Sequence, residues 1–246
     1  MKVRIQFKKD GCMKFIGHLD IMRFFQKAIK RANIDIAYSE GYNPHQKMSF
    51  ASPLGLGLTG GGEYLDIEIN TFIPSDEAIN ALNEVMVDGI SVSQFSYLED
   101  HTPNAMSSIQ AAEYNVYLKE PIEDTIFNTV EELQQCCCEF FDQEEIIVTK
   151  ETKKGENTFD LKPCVMGWEA FLDEENNVTL NLIVKAGSET NIKPEFVLTY
   201  LLRYHQKKED LMKYHFHRVD LYTLIDEEYI SLGDIGTHAN NEIHNN

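Results

Sequence analysis

Lys2-Val3-Arg4-Ile5-Gln6-Phe7-Lys8 alternates apolar and polar residues, and the pattern of the next fifteen is different. Val3, Ile5 and Phe7 point one way and Lys2, Arg4, Gln6 and Lys8 the other, the signature of a half-buried strand. From residue 18 to 32 the apolar positions shift to helical spacing. Ile21, Phe24, Phe25, Ala28, Ile29 and Ala32 form a stripe, with Arg23, Lys27, Lys30 and Arg31 on the opposite side. Residues 36–53 read as strand broken by Gly41, Asn43 and Pro44, and a glycine-rich stretch runs from Gly55 to Gly62. Glu63–Asn70 alternates again, with Leu65, Ile67 and Ile69 inward. A second helix is expected from Ser75 or Asp76, either of which can cap it, to about Val87. Ile90–Tyr97 completes a β-α-β-β-α-β order, the ferredoxin-like unit.

Beyond it the expectation is a polar linker over 99–110 and a second, less regular repeat of the same order over 111–225. In that half Ala112–Leu118 reads as a strand, Asp124–Phe141 as a helix and Glu145–Thr149 as a strand. Met166–Leu172 and Val178–Val184 read as a hairpin, a helix opens at Pro194, and Tyr214–Leu224 is a closing strand. Residues 226–246, polar and rich in Asn and His, read as a disordered tail. The fold class is α+β: two ferredoxin-like units in tandem, residues 1–98 and 111–225.

Charge is uneven along the chain. It carries 22 basic and 40 acidic residues, a net charge of −18, yet residues 1–50 hold ten basic against four acidic. Their net of +6 leaves −24 on the remainder, so the first segment suits an anion and the rest a basic partner. The competing explanation is that the two segments neutralise each other within one fold. If the strand at 63–69 lies beside that at 2–8, Tyr64, Asp66 and Glu68 face Lys2, Arg4 and Lys8, each opposite-charge pair contributing roughly 0.2–1 kcal/mol. No apolar run approaches the ~18 residues of a membrane span. The opening MKVRIQFKKD has no apolar leader core, and five cysteines (Cys12, Cys136, Cys137, Cys138 and Cys164) are odd in number, so a reducing cytoplasm is expected.

Candidate chemistry concentrates between Lys14 and Asp66. Gly17 permits a sharp entry to the first helix, and His18 stands at its start, where backbone amides are free. Asp20 suits the positive end of that helix and can pair with Arg23. The row Arg23, Lys27, Lys30 and Arg31 could touch successive phosphates, although a solvated helix face has the same pattern. Tyr38, Tyr42 and Phe50 interleave with His45 and Lys47, as in loops that stack bases and hold phosphates. The glycines at 55, 57, 60, 61 and 62 would let backbone approach an anion, or simply make a flexible connection. Neither a Walker A loop nor a dinucleotide fingerprint is present. Adjacent Cys136–Cys138 fan over about 200° of a helix, which is poor cluster geometry, and Cys137 falls on the apolar face. His215 and His217 share a strand face without a third ligand at a telling spacing, so no metal site is assigned.

Several runs carry a resemblance: KFIGHLD with Arg23, KAIKRA at 27–32, YSEGYNPH with Lys47 and SFA before Pro53-Leu54, and GEYLDIEI at 62–69. Together they resemble the radical-SAM-linked domain family of unknown function, which occurs alone or fused to cobalamin-binding radical SAM proteins. The likeness is dense over the first 70 residues and thinner at DLKP (160–163) and KPEFVL (193–198); Gln46, Gly55 and Lys27 depart from it. It implies an accessory protein that docks on a radical SAM enzyme and presents substrate, RNA being the expected class. The partner would carry the iron–sulfur cluster, S-adenosylmethionine and cobalamin, and this chain no cofactor. The resulting site comprises Gly17, His18, Asp20, Arg23, Lys27, Tyr38, Ser39, Gly41, Asn43, Pro44, His45, Lys47 and Glu63. Two alternatives stand beside it: an RNA-binding module in tRNA or rRNA maturation, and a metal-independent endoribonuclease with His18 as general acid or base.

Overall fold

The computed structural model describes residues 1–152 and 155–241. In chain order its elements are β1 (Lys2–Lys9), α1 (His18–Arg31), β2 (Met48–Phe50), β3 (Thr59–Glu68), α2 (Ser75–Val85), β4 (Ile90–Leu98), the one-turn helix α3 (Ala105–Ser108) and β5 (Ile109–Leu118). There follow α4 (Val130–Phe141), β6 (Ile147–Thr152), β7 (Gly155–Asp160), β8 (Val165–Leu172), β9 (Val178–Lys185), α5 (Pro194–Tyr204), β10 (Tyr214–Ile225) and β11 (Glu228–Ser231). The class is α+β. Two compact units are formed, Met1–Gln110 with Arg218–Asn246, and Ala111–His217. None of the described helices is long and apolar enough to cross a membrane.

In the first unit β1 lies between β4 and β3, antiparallel to both, and β2 pairs antiparallel with the far side of β3. The register sets Lys2 opposite Glu68, Arg4 opposite Asp66 and Gln6 opposite Tyr64. On the other face Val3, Ile5, Phe7, Leu65 and Ile67 are buried beneath Ile21, Phe25, Ala28 and Ile29 of α1. Phe7, Phe25 and Phe50 meet in this core, with ring centroids 4.7 Å apart for Phe7–Phe25 and 5.7 Å for Phe25–Phe50. Asn33, in the left-handed conformation (φ 55°), follows the end of α1.

Several sequence expectations change here. Neither Ser75 nor Asp76 caps α2; the cap position is Pro74, and the Ser75 hydroxyl instead accepts a bond from the Ala239 amide. Residues 99–110 are packed rather than a free linker: Ala105 and Ile109 are buried, and the Ala105 amide donates to Asp66. The first unit takes the chain back at Arg218, so its boundary is not residue 98. The 226–241 part of the expected tail is ordered for the same reason, that its backbone finds partners. β11 pairs with β10, Thr237 bridges Tyr97, and Ala239 is buried; residues 242–246 lie outside the described residues.

In the second unit β5 has β9 on one side and β10 on the other, and β8 flanks β9. Leu133, Cys137 and Phe140 of α4 and Val197, Leu198, Leu201 and Leu202 of α5 are buried. Burial also pushes the Cys137 thiol above its ordinary pKa, as suits a core residue. The helix expected from Asp124 begins only at Val130, because Thr129 caps it by accepting from the Glu132 amide. The strand expected at 145–149 forms as β6 in a separate hairpin with β7, an element outside the β-α-β-β-α-β order.

Candidate functional site

Three strands of the chain have interior rows that end in a charge. Val3, Ile5 and Phe7 lead to Lys9; Ile69, Ile67 and Leu65 lead back to Glu63; Tyr214 and Phe216 lead to Arg218. Lys9, Glu63 and Arg218 are each about 3% exposed. Arg218 grips the Glu63 carboxylate from two nitrogens, Nε donating at 2.7 Å and Nη2 to the second oxygen, and Nη2 also donates to the Ser52 carbonyl at 2.9 Å. Such a bidentate pair is strong and directional. Lys9 Nζ donates to the Ile16 carbonyl at 3.0 Å and makes no ion pair among the described residues. Burial lowers its pKa, nearby Glu63 acts to raise it, and Arg218 lowers it further.

Over this cluster stands His18, the first residue of α1. Gly17 is the cap position, and no side chain bonds to the helix start. The imidazole packs edge-on against Phe50, centroids 5.2 Å apart, and its nitrogens have no hydrogen bond among the described residues. Burial, and then the Lys9 charge, hold its pKa below the usual value. Lys9, His18, Phe50, Ser52, Leu54 and Glu63 line a cavity of about 20 Å³, room for one water-sized group. A neutral imidazole here can accept a proton. The second, orienting hydrogen bond that a general base ordinarily has is missing among the described residues.

The other expected site residues do not join it. Asp20 and Arg23 pair with each other at 3.2 Å on the exposed face of α1. Lys47 pairs with Glu68 at 2.6 Å, five residues along β3 from Glu63. The Tyr38–Lys47 loop lies against the middle and end of α1, not its start: Gln46 donates to the Gln26 carbonyl, and Lys30 sits 5.8 Å from the centre of the Tyr38 ring. Within that loop Ser39 closes a hairpin on His45, hydroxyl to Nδ1 at 2.8 Å and His45 amide to hydroxyl at 3.1 Å. Gly41, with φ +112°, makes the turn; Asn43 and Pro44 are exposed at its tip. Lys27 and the fully exposed Tyr42 flank the loop's basic neighbours along the sequence. The expected convergence of helix start, aromatic loop and glycine stretch on one mouth is therefore corrected. His18 and Glu63 come together, and the loop belongs to a separate surface.

The glycines also have a different role. A Cβ on Gly60 would run into the Glu63 carboxylate, and one on Gly62 would lie 2.6 Å from the Val219 carbonyl. Both are small so that Glu63 and β10 can approach, not so that an anion can. Lys9, Ser52 and Arg218 were missed from sequence. For Lys9 and Arg218 the available signal was a charge occupying the next inward position of an apolar row.

A family profile matches residues 2–194. The chain belongs to the DUF2344 family, described as uncharacterized proteins conserved in bacteria. All the residues of the Lys9 pocket except Arg218 fall inside the span matched to DUF2344. No curated protein matches the chain. Among solved structures it is similar to a chain of a Cbf5-Nop10-Gar1 complex, with TM-score 0.45 and 13% identity over 89% of this chain and 48% of that one. In the DUF2344 chain described here, no group of three or more His, Cys, Asp or Glu side chains is gathered as for a metal, among the described residues.

Proposed function

We propose that this protein is an accessory factor that docks on a cobalamin-binding radical SAM enzyme and presents RNA to it, with no turnover of its own. One observation carries the reading. Lys27, Lys30 and Arg31 are exposed along α1, none ion-paired among the described residues, and Lys30 covers the Tyr38 ring beside the exposed loop that holds Tyr42. Cations free of carboxylates can take phosphates at little desolvation cost, and an open ring can stack a base. Lys30 and Arg31 also suit the negative end of α1, which accounts for their position but not for Lys27 or the rings. The motif resemblance in the first 70 residues supports the radical SAM partner, which would carry the iron–sulfur cluster, S-adenosylmethionine and cobalamin. The acid excess beyond residue 50 supports contact with a basic protein surface and confines nucleic acid to the basic first 50 residues. The orders β4-β1-β3-β2 and β10-β5-β9-β8 support reading each unit as ferredoxin-like. Free thiols and the partner's chemistry support a cytoplasmic setting.

The test measures binding of single-stranded RNA across a salt series for wild type and Lys27→Glu/Lys30→Glu, with co-purification of the radical SAM protein. Salt-sensitive binding lost in the double variant, without RNA cleavage, is the expected result. No binding at any salt overturns the RNA substrate, and failure to co-purify overturns the docking role. Cleavage abolished by His18→Ala would instead make the protein a nuclease.

A further inference from the structure

The pocket beneath His18 has a charge to spare. Glu63 is committed to Arg218 by two hydrogen bonds, so it is already neutralised. Lys9 remains, nine-tenths buried, with a carbonyl as its only hydrogen-bond partner among the described residues. A buried ammonium without a counter-ion is costly, and an anion arriving beside it removes that cost. Several features make room for one. Lys9, His18 and Ser52 line one small cavity, together with the Glu63 that Arg218 holds. Gly17 offers no side chain to cap the start of α1; the Asp20 amide turns back to the Gly17 carbonyl, which leaves the His18 and Leu19 amides without a bond among the described residues. Phe15 and Leu19, on either side of Gly17–His18 in the chain, and Leu56 are exposed, and the Gly57 amide bonds the Lys14 carbonyl, tying the Leu56 turn to the Phe15 segment. Apolar side chains bordering a small charged pocket suit a ligand that is anionic at one end and has an organic body.

We propose that the Lys9–His18 pocket at the start of α1 seats one phosphate group, with a single oxygen entering the cavity and the rest of the ligand lying over Phe15, Leu19 and Leu56. Lys9 supplies the charge, His18 a hydrogen bond, and the open amides of α1 the remaining contacts. A carboxylate fits less well, since with one oxygen in the cavity it keeps one for the amides of α1, where a phosphate keeps two or three. This deepens the RNA reading by giving the phosphate a fixed seat, but it stands on different residues from the Lys27–Lys30 surface. In RNA the group would be a terminal phosphate or an internal phosphodiester.

The test follows the His18 side-chain resonances of the full chain as inorganic phosphate is added at constant ionic strength and pH. A saturable shift is expected, with affinity about tenfold weaker or more in Lys9→Met, the usual scale for losing one charge-assisted hydrogen bond. Should Lys9→Met not fold, the Leu19 amide resonance reports the same comparison between wild type and His18→Gln. Two RNA oligonucleotides of one sequence, with phosphorylated and with hydroxyl ends, then separate the sources. A His18 shift from the phosphorylated one alone assigns a terminal phosphate, and equal shifts assign an internal one. No saturable shift with inorganic phosphate, or affinity unchanged in the variants, overturns the proposal. A phosphate shift without any RNA response upholds the pocket and overturns RNA as its substrate.

Discussion

Two buried arginine–carboxylate pairs sit on opposite faces of the first unit's sheet, and they are finished differently. Arg4 donates to Asp66 from Nε at 2.8 Å and Nη2 at 3.0 Å, and to the Leu232 carbonyl at 3.3 Å. Asp66 also receives the Ala105 amide at 2.7 Å. That pair has one cation for one carboxylate and is closed over by later chain. Arg218 and Glu63 make the same bidentate contact, but Lys9 adds a second cation and His18 an open ring above it. A buried ion pair by itself is weak evidence of function, because structure alone can account for it. The unbalanced pair is the one with something left to bind.

Deleting each arginine in turn separates the two pairs. Arg4→Met strands Asp66 without its cation, and a loss of about 3–5 kcal/mol is expected in urea denaturation. Arg218→Met is expected to cost less, because Lys9 remains beside Glu63 to balance it. An equal or larger loss for Arg218→Met would mean that Lys9 is not spare. Next in size is Gly62→Ala, whose Cβ would meet the Val219 backbone carbonyl at 2.6 Å. Backbone cannot step aside as a side chain can, so a loss of about 1–3 kcal/mol in the same assay is expected.

Much of the first unit could be read from alternation, because period-two rows are local: Val3-Ile5-Phe7 and Leu65-Ile67-Ile69 were placed inward, and both are buried. The Arg4–Asp66 pairing followed from the same register. Of the pocket, only His18 and Glu63 were visible. Arg218 reaches Glu63 across 155 residues of chain, a distance over which no local pattern speaks. Lys9 continues the inward row of Val3, Ile5 and Phe7, but at a strand end a lysine ordinarily reads as solvated. By residue type the aromatic loop suits the helix start. Its actual seat was decided by a glutamine, Gln46, reaching the Gln26 carbonyl.

A smaller effect sharpens the role of Lys9. His18 has its pKa lowered, by burial and then by the Lys9 charge. A lowered histidine pKa means the unfolded chain binds the proton more readily. The stability due to neutral His18 is therefore complete above the unfolded value of about 6.5 and is lost as pH falls from there through the folded value. Lys9→Met removes the neighbouring charge, so the His18 pKa, followed by NMR, is expected to rise, and the acid-side loss of stability to shrink. A pKa unmoved by Lys9→Met would leave burial as the only cause.

The smallest effect on stability belongs to the surface that the comparison leaves out. Tyr42 is fully exposed at the loop tip, where Ser39, His45 and the turn at Gly41 hold the backbone without it. Tyr42→Ala is therefore expected to shift stability by no more than about 0.5 kcal/mol. If the ring stacks a base, RNA affinity falls by about 1–3 kcal/mol in a binding titration. Phosphate binding at His18 is expected to stay unchanged in this variant, because Tyr42 follows the far end of α1 and the pocket is at its start. Loss of both in Tyr42→Ala would show that the two surfaces act as one, and the contrast between a closed pair and an open one would no longer locate the ligand.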